Sequence, residues 1–162
     1  MVFIQNIAVV GLGSNLGDRM AAFRIAIGYI SQELDGVRGS PVYESPALLP
    51  ENAPAAWDTP YLNMAVTGEC GLEPLELLAR LKTIEARMGR EDVGRWGPRV
   101  IDLDLLVYGD RVMRTDALTL PHAGLMARGF ALVPLLDLWP EWEHPAGEKP
   151  QVEKPRKVAD GV

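Results

Sequence analysis

The sequence predicts an α+β domain in which helices pack on an antiparallel sheet, and two patterns along its 162 residues support this. Four short segments are either wholly apolar or alternate apolar and polar residues with period two, as β-strands do. Two longer segments repeat their apolar residues every three or four positions, as amphipathic helices do. Their order is β-α-β-β-α-β, the ferredoxin-like arrangement, followed by a C-terminal extension.

The first strand is predicted over residues 5–12, a short apolar run bounded by glycine. The sequence SNLGDR (14–19) then turns the chain. Helical spacing of apolar residues follows over 21–34, and Ser14 or Asn15 is expected to cap that helix, because short polar side chains satisfy the free N–H groups of a first turn.

The glycine-rich segment 11–18, GLGSNLGD, needs a separate interpretation. It lacks the Gly-Lys-Ser/Thr of a P-loop, and a leucine stands where a dinucleotide-binding fingerprint needs its third glycine. The segment therefore reads as a tight strand-to-helix turn. Gly11 and Gly13 can also allow a ligand or a neighbouring strand to approach the backbone closely.

The middle of the chain is predicted as strand, loop, strand and helix. Residues 37–45 form the second strand, and the four prolines between 46 and 60 predict a long surface loop. The third strand covers 61–69, and the second helix covers 74–89, with Pro74 as its first residue. One face of the third strand carries Tyr61, Asn63, Ala65 and Thr67, of which the first two could stack a flat heterocycle and bond its edge.

The last strand lies in RWGPRVIDLDLLVYG (95–109) and places Asp102 and Asp104 on one face, opposite Ile101, Leu103, Leu105 and Val107. Two carboxylates about 6 Å apart repel by roughly 2–3 kcal/mol at an effective dielectric near 20, so a compensating positive charge is expected. One interpretation is an arginine pair, from Arg95 or Arg99. The other is a hard divalent cation, for which oxygen ligands without histidine or cysteine favour Mg²⁺ bound together with phosphates.

Composition restricts the class of protein further. An apolar fraction of 48% with 23% charged residues is that of a globular protein, and no apolar run reaches the ~18 residues of a membrane helix. A net charge of −6 argues against nucleic-acid binding, although six of the sixteen basic residues lie between Arg80 and Arg99. The single Cys70 fits a reducing cytosol, so we expect a cytoplasmic protein without a membrane partner.

The C-terminal part is predicted to be less regular. Short helices are expected from His122 to Trp142, broken by Pro134 and Pro140. The polar segment 146–162 lacks periodicity and predicts a loosely packed tail after a single domain over 1–145.

These motifs together resemble one family, 6-hydroxymethyl-7,8-dihydropterin pyrophosphokinase of the folate pathway. The segment 95–109, with its arginines and aspartates, is highly specific for this family, whereas the glycine segment 11–18 alone would be weak evidence for it. The matching stretches occur in the family's order at 11–18, 43–48, 61–66, 81–90, 95–109 and 118–141.

The resemblance implies transfer of the β,γ-diphosphate of ATP to the pterin hydroxymethyl group, with release of AMP. By this resemblance Asp102 and Asp104 hold two Mg²⁺ ions and form the catalytic set together with Arg90 and Arg99. It also implies nucleotide-binding residues, namely Lys82, Glu85, Trp96, Arg99, Thr119, His122 and Arg128. The implied pterin-binding residues are Ser45, Pro46, Leu48, Tyr61, Asn63, Trp96 and Phe130.

Two alternatives to this function stay open at this point. One is another Mg²⁺-dependent phosphotransferase acting on a small molecule, which would release ADP. The other is a ferredoxin-like ligand-binding domain without catalysis, whose aspartates are held in arginine pairs. If the chain is this enzyme, its expected partners are ATP and the pterin, and the protein is expected to be a monomer.

Overall fold

The computed structural model describes residues 6–47, 49–89, 99–151 and 155–160, and within them the predicted α+β architecture is confirmed. Short 3₁₀ turns lie at Ala55–Trp57 and Leu125–Ala127. The strands and helices are β1 (Ile7–Ser14), α1 (Arg19–Ile30), β2 (Leu34–Gly39), β3 (Val42–Ser45), β4 (Tyr61–Cys70), α2 (Pro74–Arg87), β5 (Asp102–Tyr108), β6 (Met113–Arg114), β7 (Thr119–Leu120), α3 (Gly129–Leu138) and β8 (Arg156–Ala159).

The main sheet has the strand order β5-β1-β4-β3-β8, and β2 pairs with β4 beside β3. All of these pairs are antiparallel. Because the predicted second strand corresponds to β2 and β3 together, the order of the four predicted strands is that of a ferredoxin-like sheet. β1 and β4 occupy its centre, which suits their largely buried residues.

The two faces of the sheet bury two separate apolar clusters. Helices α1 and α2 cover one face, where Phe23 and Leu81 pack against strand residues such as Val10. Helix α3 covers part of the other face, where Leu132 and Leu135 join the second cluster. Neither these helices nor any other helix in the described ranges has the length and apolarity that a bilayer-spanning segment requires.

Helix α1 begins two residues earlier than predicted, and its cap is a different residue. The side chain of Asp18 accepts a hydrogen bond from the Ala21 N–H at 3.0 Å, so Asp18 is the N-cap. The expectation for Ser14 or Asn15 was wrong, because both lie in or directly after β1. The sequence SNLGD offers three residue types that cap helices, and only the starting register of the helix selects among them.

The predicted strand over 37–45 is broken into β2 and β3 at Ser40 and Pro41. Ser40 still bonds the central strand, since its N–H donates to the Ala65 carbonyl and its Oγ accepts from the Ala65 N–H, each at 2.9 Å. Pro41 has no N–H to donate, so the break costs the sheet no ladder bond at that position.

A β-bulge in β5 changes the predicted assignment of its faces. Val9 pairs with Val107 and Val10 pairs with Leu105, so Leu106 is the extra residue. The prediction holds as far as Leu106, on the face of Asp102 and Asp104, but is wrong for Val107 and Tyr108. Leu106 and Val107 both join the α3 cluster, while the Tyr108 ring turns to the α1 and α2 side.

The C-terminal part is more ordered than predicted. Pro134 lies inside α3 instead of ending it, although it has no N–H to donate to the Phe130 carbonyl. A hairpin of β6 and β7 precedes α3 and was not expected. Residues 156–159, expected in a loose tail, form β8 and pair with β3. The domain limit at residue 145 stays a prediction.

One hydrogen bond joins β3 to α3 across the second cluster. The Tyr43 hydroxyl donates to Asp137 Oδ2, and Tyr43 itself is 3% exposed. Burial, helped by the adjacent Asp137 carboxylate, raises the pKa of Tyr43 from 10.0 to about 12.

This pKa predicts a pH-dependent effect of Tyr43→Phe. At pH 7 the substitution should lower the free energy of unfolding by about 2 kcal/mol, since hydrogen bonds to charged groups contribute about 1.5–3 kcal/mol. Because the pKa of Tyr43 is higher in the folded than in the unfolded chain, its hydroxyl contributes its full stabilisation below the unfolded value of 10.0. That contribution is lost as the pH rises toward 12. The difference from wild type, measured by urea unfolding, should therefore shrink between these two pH values. Tyr29→Phe is the control, and an unchanged difference at pH 12 would contradict the assignment.

Candidate active site

A cavity of about 250 Å³ lies on the α3 side of the sheet. Its walls come from β1, β3, β4 and β5 on one side and from the start of α3 on the other. Nine of the residues singled out from the sequence line it, so the fold brings segments more than 80 positions apart into one site. They are Ser45, Pro46, Tyr61, Asn63, Arg99, Asp102, Asp104, Arg128 and Phe130.

The register of three strands arranges the floor of this cavity. Gly13 of β1 pairs with Asp102 of β5 on one side and with Asn63 of β4 on the other. Because neighbouring strands lie about 4.8 Å apart, the aspartate and the amide are separated by roughly 10 Å, with a glycine between them. This spacing leaves room for a flat ligand lying across the strands.

The glycines of β1 keep that floor open. A Cβ at Gly13 would lie 3.5 Å from both Asn63 Oδ1 and Tyr61 Cδ1, and would occupy the space between them. A Cβ at Gly11 would lie 3.2 Å from the Leu106 side chain, closer than an ordinary contact. The open position at Gly13 agrees with the expectation that a ligand can approach the backbone here, whereas at Gly11 the Leu106 side chain is what approaches it.

The side of the cavity formed by β3 and β4 combines an oriented amide with aromatic rings. Asn63 is 4% exposed, and its Nδ2 donates to Ser45 Oγ at 2.8 Å. This bond fixes the amide plane, so Asn63 Oδ1 is the atom near Gly13. Tyr61 and Phe130 line the same cavity. The arrangement suits a planar heterocycle that stacks on rings and bonds through its edge.

The β5 side of the cavity is acidic. Asp102 is half-buried, while the Asp104 side chain is 53% exposed. Within the described ranges no cluster of three or more His, Cys, Asp or Glu side chains could enclose a metal ion. Two carboxylates nevertheless fit Mg²⁺, which is usually bound by one or two carboxylates, with water and phosphate oxygens completing its octahedron. The donor set therefore favours an ion that arrives with a phosphorylated ligand.

His122 lies beside this acidic pair. Its Nε2 is 3.9 Å from Asp104 Oδ1, and its Nδ1 accepts a bond from the Gly124 N–H at 3.2 Å. Burial lowers the pKa of His122, the Asp104 carboxylate opposes this, and the Arg128 guanidinium adds to the lowering. The neutral imidazole thus carries its proton on Nε2 and can donate to an anionic oxygen there.

Two arginines complete the polar lining of the cavity. The Arg128 guanidinium lies 6.0 Å from the centre of the Phe130 ring and packs over Gly124, where a Cβ would be 2.6 Å from its Nε. Arg99 lines the opposite wall, immediately before the acidic strand. An anion held between the two walls would meet a cation from each.

Besides His122, which lies next to Asp104 but not in the cavity lining, three residues expected to contact a nucleotide do not line the cavity. Lys82 is exposed on α2, and Thr119 lies in the hairpin strand β7. Glu85 is 6% exposed, and its Oε2 accepts a hydrogen bond from the Leu103 N–H at 2.9 Å. Because β5 lies at the edge of the sheet, Glu85 takes the place of a neighbouring strand for the N–H of Leu103, the residue between the two aspartates. Leu48, Arg90 and Trp96 fall outside the described residues.

One residue of this region, Asn15, was interpreted only as a helix cap. Its side chain instead bonds the backbone of Arg99 and of Thr59, on two different walls of the cavity mouth. The available signal was an asparagine directly after a buried strand, but the same signal is typical of a turn.

Comparison with known proteins is consistent with this geometry. The family model for 7,8-dihydro-6-hydroxymethylpterin-pyrophosphokinase (HPPK) matches residues 9–140. A 2-amino-4-hydroxy-6-hydroxymethyldihydropteridine pyrophosphokinase of Aquifex aeolicus is 41% identical over 140 residues, which cover 86% of this chain and 84% of that protein. The corresponding protein of Synechocystis is 39% identical over 144 residues, covering 88% and 71%.

Longer proteins match as well. The folate synthesis bifunctional protein of Chlamydia trachomatis is 42% identical over 140 residues, and the match covers 83% of this chain but only 31% of that protein. A crystal structure of Plasmodium falciparum HPPK-DHPS with pteroate superposes with a TM-score of 0.66 at 15% identity, over 90% of this chain and 43% of the other. That structural likeness concerns the fold, and it agrees with the antiparallel sheet and helices described above.

Two substitutions of Glu85 separate its role as the hydrogen-bond acceptor of the Leu103 N–H from the effect of its charge. Glu85→Leu leaves the Leu103 N–H buried and unsatisfied, which should lower the free energy of unfolding by about 1–3 kcal/mol. Glu85→Gln keeps an oxygen acceptor and should retain most of the protection of the Leu103 amide against hydrogen exchange. Equal amide protection in wild type and Glu85→Leu would contradict the assignment.

Proposed function

The chain belongs to the 7,8-dihydro-6-hydroxymethylpterin-pyrophosphokinase family, and we propose that it transfers the β,γ-diphosphate of ATP to the hydroxymethyl group of 6-hydroxymethyl-7,8-dihydropterin. Enzymes of this family use ATP with Mg²⁺. We propose further that Asp102 and Asp104 hold two such ions, and that residues 1–145 carry the activity as a monomer.

The row of Asp102, Gly13 and Asn63 across three strands is the observation that carries this proposal. It places a fixed amide about 10 Å from a carboxylate pair, with an open floor between them. A bicyclic pterin spans such a distance, with its edge at Asn63 and its hydroxymethyl group toward the aspartates. Tyr61 and Phe130 then supply the stacking surfaces for the rings.

The nucleotide is proposed to lie with its triphosphate along the β5 side of the cavity. Arg99 and Arg128 bring positive charge from opposite walls, which neutralises phosphate oxygens. The neutral His122 donates a hydrogen bond from its Nε2–H to a phosphate oxygen, since its Nδ1 already accepts one from the Gly124 N–H. Asp102 and Asp104 would hold Mg²⁺, which would supply positive charge against the charge that develops on the phosphate oxygens.

In the reaction, the hydroxymethyl oxygen forms a bond to the β-phosphorus and gives up its proton to water, while the bond from that phosphorus to the oxygen of the α-phosphate breaks and AMP leaves. No side chain of the chain forms a covalent intermediate in this scheme. The protein contributes orientation through Asn63 and the aromatic residues, and electrostatic stabilisation through Arg99, Arg128 and the aspartate pair. These terms dominate in phosphoryl transfer generally.

The direct test is incubation of the protein with ATP, Mg²⁺ and 6-hydroxymethyl-7,8-dihydropterin, followed by chromatography of the nucleotides. The proposal requires AMP and a pterin carrying two phosphates in equal amounts. Formation of ADP would identify a phosphotransferase moving one phosphate instead. No turnover of either nucleotide with a well-folded protein would favour a ligand-binding domain.

In the same assay Asp102→Asn should lower kcat/KM by roughly 100-fold or more, because charge stabilisation by a held metal ion is worth several kcal/mol. Its thermal unfolding temperature should change far less than its activity, since the substitution acts mainly on the held metal ion. A variant that is strongly destabilised but equally active would support the arginine-pair interpretation instead. Asp110→Asn, an exposed residue after β5, is the matched control.

Gly13→Ala tests the open floor separately from folding. The added methyl meets only contacts of 3.5 Å or more, so the unfolding temperature should change by little. It occupies the space between Tyr61 and Asn63, so pterin affinity measured by calorimetry should fall by about tenfold or more, the loss expected when about 1.4 kcal/mol of contact is removed. Gly28→Ala, on an open helix surface, is the control and should bind normally. Unchanged pterin affinity in Gly13→Ala would contradict the proposed pose.

A further inference from the structure

The turn SNLGDR between β1 and α1 contacts two walls of the cavity mouth at once. Asn15 within it is 1% exposed, although it carries a polar amide and follows the end of β1. A buried amide is retained in a fold when its donors and acceptors are bonded, since an unpaired polar group is costly. The partners of Asn15 therefore indicate what it holds together.

Three hydrogen bonds join Asn15 to two distant segments. Its backbone N–H donates to the Arg99 carbonyl at 3.0 Å, and its Oδ1 accepts from the Arg99 N–H at 2.8 Å. Its Nδ2 donates to the Thr59 carbonyl at 3.1 Å. One side chain thus bonds the backbone at positions 44 and 84 residues away in the chain.

A second residue of the same turn reinforces the Thr59 side. Arg19 Nη1 donates to the Pro60 carbonyl at 2.8 Å, so the last two residues of the proline-rich loop are both anchored. Tyr61, the aromatic residue of the cavity, follows directly. On the other wall, Arg99 is the residue held, three positions before Asp102.

We infer that Asn15 is a positioning residue for the reaction proposed above, on which this inference rests. By clamping Thr59 and Arg99 to the end of β1, it sets the distance between the wall that carries Tyr61, here called the aromatic wall, and the wall that carries Arg99, here called the cationic wall. Asn15 itself does not line the cavity, so it acts through the residues that it holds. A displacement of about 1 Å in either wall can cost roughly 100-fold in rate, so the clamp is worth more to turnover than its hydrogen bonds are to folding.

Two substitutions of Asn15 separate its two connections. Asn15→Leu removes both side-chain bonds at similar volume. Asn15→Asp keeps an oxygen acceptor for the Arg99 N–H but replaces the donor to Thr59 with an oxygen. Hydrogen exchange should therefore quicken at the Arg99 amide only in Asn15→Leu. It should quicken at the bonded amides of 57–59 in both variants.

Kinetics should divide in the same way. Asn15→Asp should raise the KM for the pterin and leave the KM for ATP within about twofold of wild type, because only the aromatic wall is released. Asn15→Leu should raise both KM values and lower kcat by up to roughly 100-fold. If Asn15 were purely structural, both variants would lower the unfolding temperature without affecting the KM values for the pterin and for ATP differently.

Thr67→Val is the matched control, since it also removes a buried side-chain bond to a distant backbone carbonyl, that of Ala8 at 3.0 Å, but outside the cavity. The inference is overturned if Asn15→Leu resembles Thr67→Val in both KM values and in Arg99 exchange. If Asn15→Leu does not fold, Asn15→Asp decides by the KM for the pterin and by exchange at the bonded amides of 57–59, neither of which should change in Thr67→Val. If wild type releases no AMP, the proposed function fails, and the exchange pattern alone then decides whether the clamp exists.

Discussion

The antiparallel register of β5, β1 and β4 is the constraint on which the rest of the site depends. Side chains alternate between the faces of a strand, so a slip of one residue would move every cavity residue of that strand to the opposite face. The observed register puts Asp102, Gly13 and Asn63 in one row on the α3 side. The apolar residues between them then fill the core under α1 and α2. The register that packs the core therefore also brings the residues of the site together.

Electrostatics determines what such a site can accept. The chain carries a net charge of −6, yet two arginines line its cavity together with a pair of aspartates, and His122 lies 3.9 Å from one of them. Anionic phosphates would be repelled by the aspartates alone and would bind the arginines alone without discrimination. With both signs present, the site favours a ligand that carries its own cation between carboxylate and phosphate oxygens. Neutral His122 suits this mixed environment because it can donate a hydrogen bond without adding a charge.

Periodicity and turn chemistry in the sequence were sufficient for the element order, the sheet and most of the cavity lining. Local patterns could not locate the bulge at Leu106, because it arises from the pairing of β5 with β1. They could not separate Asp18 from Asn15 as the helix cap, since both residue types satisfy the same N–H groups. Glu85 likewise has the sequence position of a helix-surface residue, and only the packing of α2 against the open edge of β5 buries it.

The pairing of β8 with β3 has a consequence for the order of events during synthesis. Arg156 bonds Glu44 across 112 positions of the chain, so the outer edge of β3 gains its partner only when that late segment has left the ribosome. At about 5–20 residues per second this takes roughly 6–22 s after β3 emerges. During that interval the strand that ends at Ser45 has one open side, and a nascent chain in this state would present it to chaperones or to other unpaired strands.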